Sequence, residues 1–252
     1  MEKNIKAITL GTLHKELFFN KKVSISFDTI TNTDDVDLNV LVQIEPPSIK
    51  NTTEAIIKNQ NKFDIIFAWN NDILNKCTNS VLFPFGSCWI KDEDQKVHEK
   101  TKEISIIASV KRQTMGHNLR HNIIQSNIMN LDLFGNGYNP IEDKITALKD
   151  YRFSLIIENE KIDNWFTEKI IDCLTTGTIP VYWGCPNIDD YFDTRGFIIV
   201  DSIEDLIIKK NMLNKTTYSE MLPYIKINFG LAKKYTDFWS RIEDEINKKL
   251  NV

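Results

Sequence analysis

Short apolar runs alternate with polar stretches along this chain, and the period of the alternation switches repeatedly between strand-like and helix-like. In the first hundred residues, apolar runs at 23–27, 38–43, 63–68 and 80–85 read as strands. The stretch 52–59 has the spacing of a short helix, and Glu45-Pro46-Pro47 forms a turn that neither a helix nor a central strand accepts. A charged, glycine-free segment at 91–103 then reads as a linker or surface excursion between two halves.

The pattern restarts after it. Strands are predicted at 104–108, 131–134, 153–157, 179–183 and 197–200, and helices at 116–129, 142–148, 167–176 and 203–208. Gly135-Asn136-Gly137 ends the second of these strands, and Gly177 closes the third of these helices. The tail, 218–250, is mostly amphipathic helix. Strands alternating with helices imply parallel sheets with helices on both faces. Two such sets suggest two doubly wound α/β domains facing each other over a cleft. The predicted limits are 1–100 for an amino-terminal domain and 101–217 for a carboxyl-terminal one, with 218–252 a helical tail able to pack back across both.

Composition narrows the function classes. A formal net charge of -4 argues against a general nucleic-acid binder, which would be basic. No apolar run approaches the ~20 residues that a membrane span needs. The amino terminus, Met1-Glu2-Lys3-Asn4-Ile5-Lys6, lacks a signal peptide's apolar segment, so a cytoplasmic location is expected. Cys77, Cys88, Cys173 and Cys185 form no CxxC pair and read as buried free thiols.

The chemistry-bearing side chains gather where strands meet helices. Ser109-Val110-Lys111-Arg112-Gln113-Thr114 opens a helix bearing His117, Arg120 and His121. Lysine, arginine and helix-start amides suit a pyrophosphate; the other reading is a solvated basic face, and both stay open. No GxGxxG or GxxxxGK[ST] pattern is present. His117 and His121 have the spacing of the zinc helix HExxH, but Asn118 occupies the glutamate position, so no metal site is assigned. In Asn164-Trp165-Phe166-Thr167-Glu168-Lys169, Thr167 can cap a helix and Glu168 suits its positive end. Lys169 runs against that dipole, which a bound phosphate would explain, and Trp165 could stack on a base or sugar. Glu158 and Asn159 end an apolar strand, where a carboxylate must emerge or find partners. Glu45 likewise follows an apolar strand, as a surface turn residue or as a general base on the facing domain. The Asp-x-Asp in Asp34-Asp35-Val36-Asp37 lies in a polar loop and reads as a decoy for a metal motif.

Tyr151-Arg152-Phe153, Glu158-Asn159, Thr167-Glu168-Lys169 and Gly177-Thr178-Ile179-Pro180-Val181-Tyr182-Trp183-Gly184 together resemble the signature of the α-1,3/4-fucosyltransferases, glycosyltransferase family ten. The order and spacing match YKF-x-L-x-FEN, an aromatic, TEK and G-x-[VI]-P-[VI]-x-x-G, and Leu131–Gly135 resembles the family's preceding strand. The likeness covers about residues 104–205. It implies a GT-B architecture and single-displacement, inverting transfer from GDP-fucose to a glycan hydroxyl, with no cofactor and no essential divalent metal. Carried over by position, Arg120 and Lys169 would neutralise the pyrophosphate and Glu168 would hold the fucose. Lys111, Glu158, Asn159, Trp165 and Thr167 complete the expected nucleotide-sugar site, and Glu45 would match the family's base. Glu160 stands where the family usually has serine. A transferase for another nucleotide sugar, and a non-catalytic binding relative, are the alternative expectations.

Overall fold

The structure is a computed structural model that describes residues 5–11 and 15–250. Two compact units emerge. One comprises the chain up to Phe85, Asp163–Trp165 and everything from Asp237; the other comprises Gly86–Ile162 and Phe166–Thr236. The division thus falls between Phe85 and Gly86 rather than near 100, and the helical tail is shared out between the units.

In the first unit, β1 (Ile5–Lys6) pairs antiparallel with β3 (Phe18–Phe19). A parallel sheet contains β2 (Ile8–Gly11), β4 (Val23–Phe27), β5 (Leu38–Val42), β6 (Ile65–Ala68) and β7 (Ser80–Leu82), in the order β2-β4-β5-β6-β7. The two-residue period of a strand sorts its side chains between two layers. Val23, Ile25, Phe27, Val40, Val42, Ile65 and Phe67 share a core with Phe238, Ile242 and Ile246 of the carboxyl-terminal helix Phe238–Leu250. Leu41, Ile66 and Ala68 join Ile56 of α1 (Thr53–Lys58) and Ile73 of α2 (Asn71–Lys76).

The second unit holds β8 (Lys102–Ile107), β9 (Asp132–Phe134), β10 (Tyr151–Ile157), β11 (Ile179–Trp183) and β12 (Ile198–Ile199), all parallel, in the order β12-β11-β10-β8-β9. Its helices are α3 (Met115–Ser126), α4 (Glu168–Thr175), α5 (Ile203–Lys209) and α6 (Lys215–Ala232). Phe153, Leu155 and Ile157 of β10 pack with Ile123 of α3, Leu206 of α5 and Ile225 of α6. Ile156 points the other way, to Ile170, Ile171 and Leu174 of α4. β10 is therefore covered on both faces, as its unbroken apolar run requires. From β8 the chain steps outward to β9, then returns to β10 on the opposite side of β8. The connections leaving β8 and β10 consequently diverge, which opens a crevice at their carboxyl ends.

Four expectations change. The helix at 142–148 shrinks to one 3-10 turn, Lys144–Ala147, because Tyr151 already begins β10 and its amide bonds back to Leu148. Strand β2 and helix α2 were not predicted: one is a partly exposed edge, and the other is a six-residue helix resting on an Asn70 cap. Cys77, Cys173 and Cys185 are buried free thiols, but Cys88 is only half-buried. Finally, 91–103 is no free linker, since it ends in β8 and contains a buried lysine.

That lysine, Lys100, is 8% exposed. Its Nζ lies 2.8 Å from the Thr176 carbonyl, 3.1 Å from that of Leu148, 3.0 Å from that of Lys149 and 2.9 Å from Thr178 Oγ1. The ammonium thereby ties the end of α4 to the entry of β10. Among the described residues, no helix is long and apolar enough to cross a membrane.

Lys100→Met keeps the aliphatic stem but removes four hydrogen bonds at once, although the Leu148 and Thr176 carbonyls keep other donors. A loss of about 3 kcal/mol is expected, read from urea denaturation of the wild type and the variant. Equal midpoints would mean that the ammonium is not what joins these segments.

Candidate functional site

The site is organised around one carboxylate. Glu158, immediately after β10, is fully buried. Its Oε1 accepts the Thr167 amide at 2.9 Å, and its Oε2 accepts the Thr167 hydroxyl at 2.8 Å and the Lys169 ammonium at 3.1 Å. Thr167 is the N-cap of α4, so Glu158 fixes that helix start against the end of β10. The sequence puzzle of a cation in the first turn finds a first answer here, because Lys169 balances a buried anion.

Helix α3 comes equally close. Gly116 donates its amide to the Asn159 carbonyl at 2.9 Å, and a Cβ at Gly116 would sit 1.7 Å from the Glu158 carbonyl oxygen. Only glycine permits this approach. One turn later, Arg120 is 7% exposed and donates from Nη2 to Asn159 Oδ1 at 2.9 Å and from Nε to the Gly116 carbonyl at 3.2 Å. Among the described residues, no carboxylate forms an ion pair with Arg120. His121 holds the preceding loop: Nε2 bonds the Lys111 carbonyl at 3.0 Å and Nδ1 bonds the Tyr138 hydroxyl at 2.8 Å. Both of its ring nitrogens are therefore occupied, and among the described residues no group of three His, Cys, Asp or Glu is arranged for a metal.

A cavity of about 330 Å³ opens at the crevice between the ends of β8 and β10. Ala108, Ser109 and Lys111 line it from the loop after β8, Leu155, Ile156 and Ile157 from β10, and Asn159 from just beyond that strand. His117 and Arg120 come from α3, and Glu168, Lys169 and Asp172 from α4. Lys144 lies between the Glu168 and Asp172 carboxylates, at 3.2 and 2.9 Å, and 4.0 Å from the centre of the Trp89 ring. Asp172 also accepts the Trp89 amide at 2.6 Å. Burial works to raise the Glu168 pKa, but Lys169 and then Lys144 outweigh it and hold the carboxyl down at about 2. Asp172 goes the other way: burial raises it against the pull of Lys144 and the Trp89 amide. The cavity thus presents an ionised carboxylate beside an excess of cations: Lys111, Arg120, Lys144 and Lys169 against Glu168 and Asp172.

Of the residues singled out from sequence, Lys111, Arg120, Asn159, Glu168 and Lys169 line this cavity. Glu158 and Thr167 do not; they stand behind it, their polar atoms spent on each other and on Lys169. The expectation that they line the donor site is corrected: they brace α4, whose Glu168 and Lys169 line the cavity. Trp165 is corrected too. It belongs to the first unit, is 2% exposed, and its Nε1 donates to the Ile44 carbonyl at 3.0 Å, so no ring face is open for stacking. Glu45 is also in the first unit, half-buried, its amide bonded to Asp28 Oδ2 at 3.0 Å. Sequence reasoning missed Lys144, Asp172 and Trp89 as lining residues. Glu168 and Asp172 at i, i+4 on a buried helix were a usable signal, since two such carboxylates demand a cation.

Residues 97–225, just over half of the chain, match the family described as glycosyltransferase family 10 (fucosyltransferase), C-terminal part. The chain belongs to glycosyltransferase family 10. An alpha-(1,3)-fucosyltransferase of Helicobacter pylori is 35% identical over 104 residues, covering 39% of this chain and 22% of that protein. A GDP-fucose protein O-fucosyltransferase 3 of Xenopus laevis is 35% identical over 83 residues, covering 31% of this chain and 18% of its own. The chain therefore spans only about a fifth of the length of these relatives. A crystal structure of an alpha1,3-fucosyltransferase with GDP-fucose superposes with a TM-score of 0.55 at 19% identity, over 85% of this chain and 80% of that one. That likeness is one of fold, and it makes this family 10 chain a GT-B protein.

Within the family 10 segment, His117 carries a pH signature. Burial first, then Arg120, Lys111, Lys169 and His121, push it from 6.5 down to about 4. Because the folded value lies below the unfolded one, the unfolded chain takes up the proton first. The stability involved is present above about pH 6.5 and is lost as pH falls toward 4. Denaturation midpoints of the wild type should therefore drop more steeply across that window than those of His117→Gln; parallel curves would refute a neutral buried His117.

Proposed function

We propose that this chain transfers fucose from GDP-fucose to a hydroxyl of a glycan acceptor, with inversion at the anomeric carbon. One observation carries the reading: Arg120 is a buried guanidinium on the cavity wall that, among the described residues, forms no direct ion pair with a carboxylate. Glu158 and Glu168 act on this cation only through space, and a ligand that pairs with it directly offsets the remaining cost of its burial. A diphosphate does so, and a guanidinium fork suits its oxygens.

Lys169 stands beside Arg120's helix with two of its contacts fixed by Glu158 and Thr167, which aims the ammonium and leaves it a further hydrogen to donate. Glu168, kept ionised by Lys169 and Lys144, accepts hydrogen bonds from sugar hydroxyls. Trp89, 65% exposed beside the cavity, offers a flat apolar face to the nucleotide sugar. In the reaction, the acceptor oxygen attacks C1 of the fucose as its proton passes to a base, and Glu45 is the group assigned to that proton. The C1–O bond to the β-phosphate breaks, and its electron pair stays with GDP. Arg120 and Lys169 take up the charge that develops on the leaving diphosphate, which supplies catalytic stabilisation without a divalent ion.

Calorimetric titration with GDP, GDP-fucose, UDP and CMP in metal chelator tests the donor. GDP and GDP-fucose alone should bind, and Arg120→Gln should weaken GDP about 10–100-fold, the worth of one charged hydrogen bond. A preference for UDP or CMP would replace the donor, and no binding would favour a non-catalytic relative. Glu45→Gln should remove turnover while leaving the affinity for GDP unchanged. Weakened GDP binding in that variant would place Glu45 among the donor ligands instead.

A further inference from the structure

The peptide that carries Glu45 is gripped from two sides, within the first unit, by groups that the proposed reaction does not otherwise use. Asp28 follows β4 with a left-handed φ of +48° and is 1% exposed. Its Oδ1 accepts the Ile44 amide at 2.9 Å and its Oδ2 accepts the Glu45 amide at 3.0 Å. On the other side, the Ile44 carbonyl accepts two indole N–H groups, from Trp165 at 3.0 Å and from Trp69 at 3.2 Å. Both indoles are buried, with ring centroids 6.3 Å apart. Asn164, itself left-handed at φ +60°, donates to the Trp69 carbonyl at 3.2 Å and to Asn71 Oδ1 at 2.9 Å, which ties the Trp165 segment to the Trp69 segment.

This arrangement is expensive. Among the described residues no cation forms an ion pair with Asp28, so its buried carboxylate rests mainly on the two amide donors, with Lys50 acting on it only through space. Two buried indole donors spend both lone pairs of one carbonyl. A turn that needed only to be closed would require none of this. What the three side chains achieve together is to fix the Ile44–Glu45 backbone, and Pro46-Pro47 then removes freedom on the far side. Such fixation matters for a general base, which must sit within a hydrogen bond of the proton it removes.

We propose that Asp28, Trp69 and Trp165 are positioning residues that hold the Ile44–Glu45 peptide so that the Glu45 carboxylate meets the acceptor hydroxyl, a role that rests on Glu45 being the base. Trp165 thereby acts through a backbone carbonyl in place of the stacking expected of it.

The test compares Asp28→Asn, Trp165→Phe, Trp69→Phe, Glu45→Gln and the double variant Asp28→Asn/Glu45→Gln in a fucosyl-transfer assay, with GDP calorimetry and thermal denaturation alongside. Asparagine tolerates the left-handed backbone and keeps one acceptor oxygen, while phenylalanine keeps a ring and removes only the N–H. Each single clamp variant should lose kcat about 10–100-fold, the cost of a small misplacement of a reacting group. The KM for GDP-fucose and the affinity for GDP should stay unchanged. In the Glu45→Gln background, Asp28→Asn should cause no further loss. Wild-type kcat in the clamp variants, with Glu45→Gln inactive, overturns the clamp and leaves the base. Additive losses in the double variant overturn it as well, since the side chain would then act on structure alone. Full turnover by Glu45→Gln overturns both roles. If Asp28→Asn fails to fold, the two phenylalanine variants decide by the same criteria.

Discussion

Everything in the second unit's site depends on the burial of the Glu158 carboxylate. An ion at the end of a central strand, with water excluded, must be met by donors in the protein. Here they are the Thr167 amide, the Thr167 hydroxyl and the Lys169 ammonium. Because these three come from the cap and first turn of α4, satisfying the charge also sets where that helix begins. Glu168 and Lys169 then reach the cavity from a rigid helix start rather than from a loop.

A second consequence concerns charge. The helix start that Glu158 anchors, the glycine-tight approach of α3 and the 3-10 turn bearing Lys144 bring four cations and two carboxylates around one crevice. Most of them are mutually paired. Arg120 makes its hydrogen bonds to a carbonyl and an amide oxygen, and Glu158 and Glu168 meet its charge only through space. A preorganised field of this kind costs no rearrangement when charge develops on a leaving group. The first unit applies the same logic to a neutral group. Buried Asp28 and two indoles immobilise a single peptide, and the rigidity is paid for by burying polar atoms only where each is satisfied.

Much of this was legible in the order of residues. The strands Val23–Phe27 and Ile179–Trp183 were predicted to the residue, because an unbroken apolar run bounded by polar turns has one economical conformation. The cap at Thr167 and the glycine closing α4 were equally plain. Edge strand β2 and the short α2 escaped, since both draw their stability from neighbours rather than from their own pattern. In the site, Arg120, Glu168 and Lys169 stood out because charge at a strand–helix junction is conspicuous. Lys144 did not, as nothing local distinguishes it from a surface lysine.

By itself, then, the sequence determined the α/β alternation, the two-unit plan and the family, for these follow from periodicity and from short-range motifs that no distant contact alters. Only the tertiary structure decided which polar residues face the cavity and which stand behind it. Glu158, Thr167 and Trp165 belong to the same motif as Glu168 and Lys169, yet two turned to brace α4 and one to the Ile44 carbonyl. The physical reason is that a polar side chain's role is set by the partners that desolvation forces on it. Those partners lie 9 residues away for Thr167 and 121 for Trp165, separations over which a linear pattern carries no information.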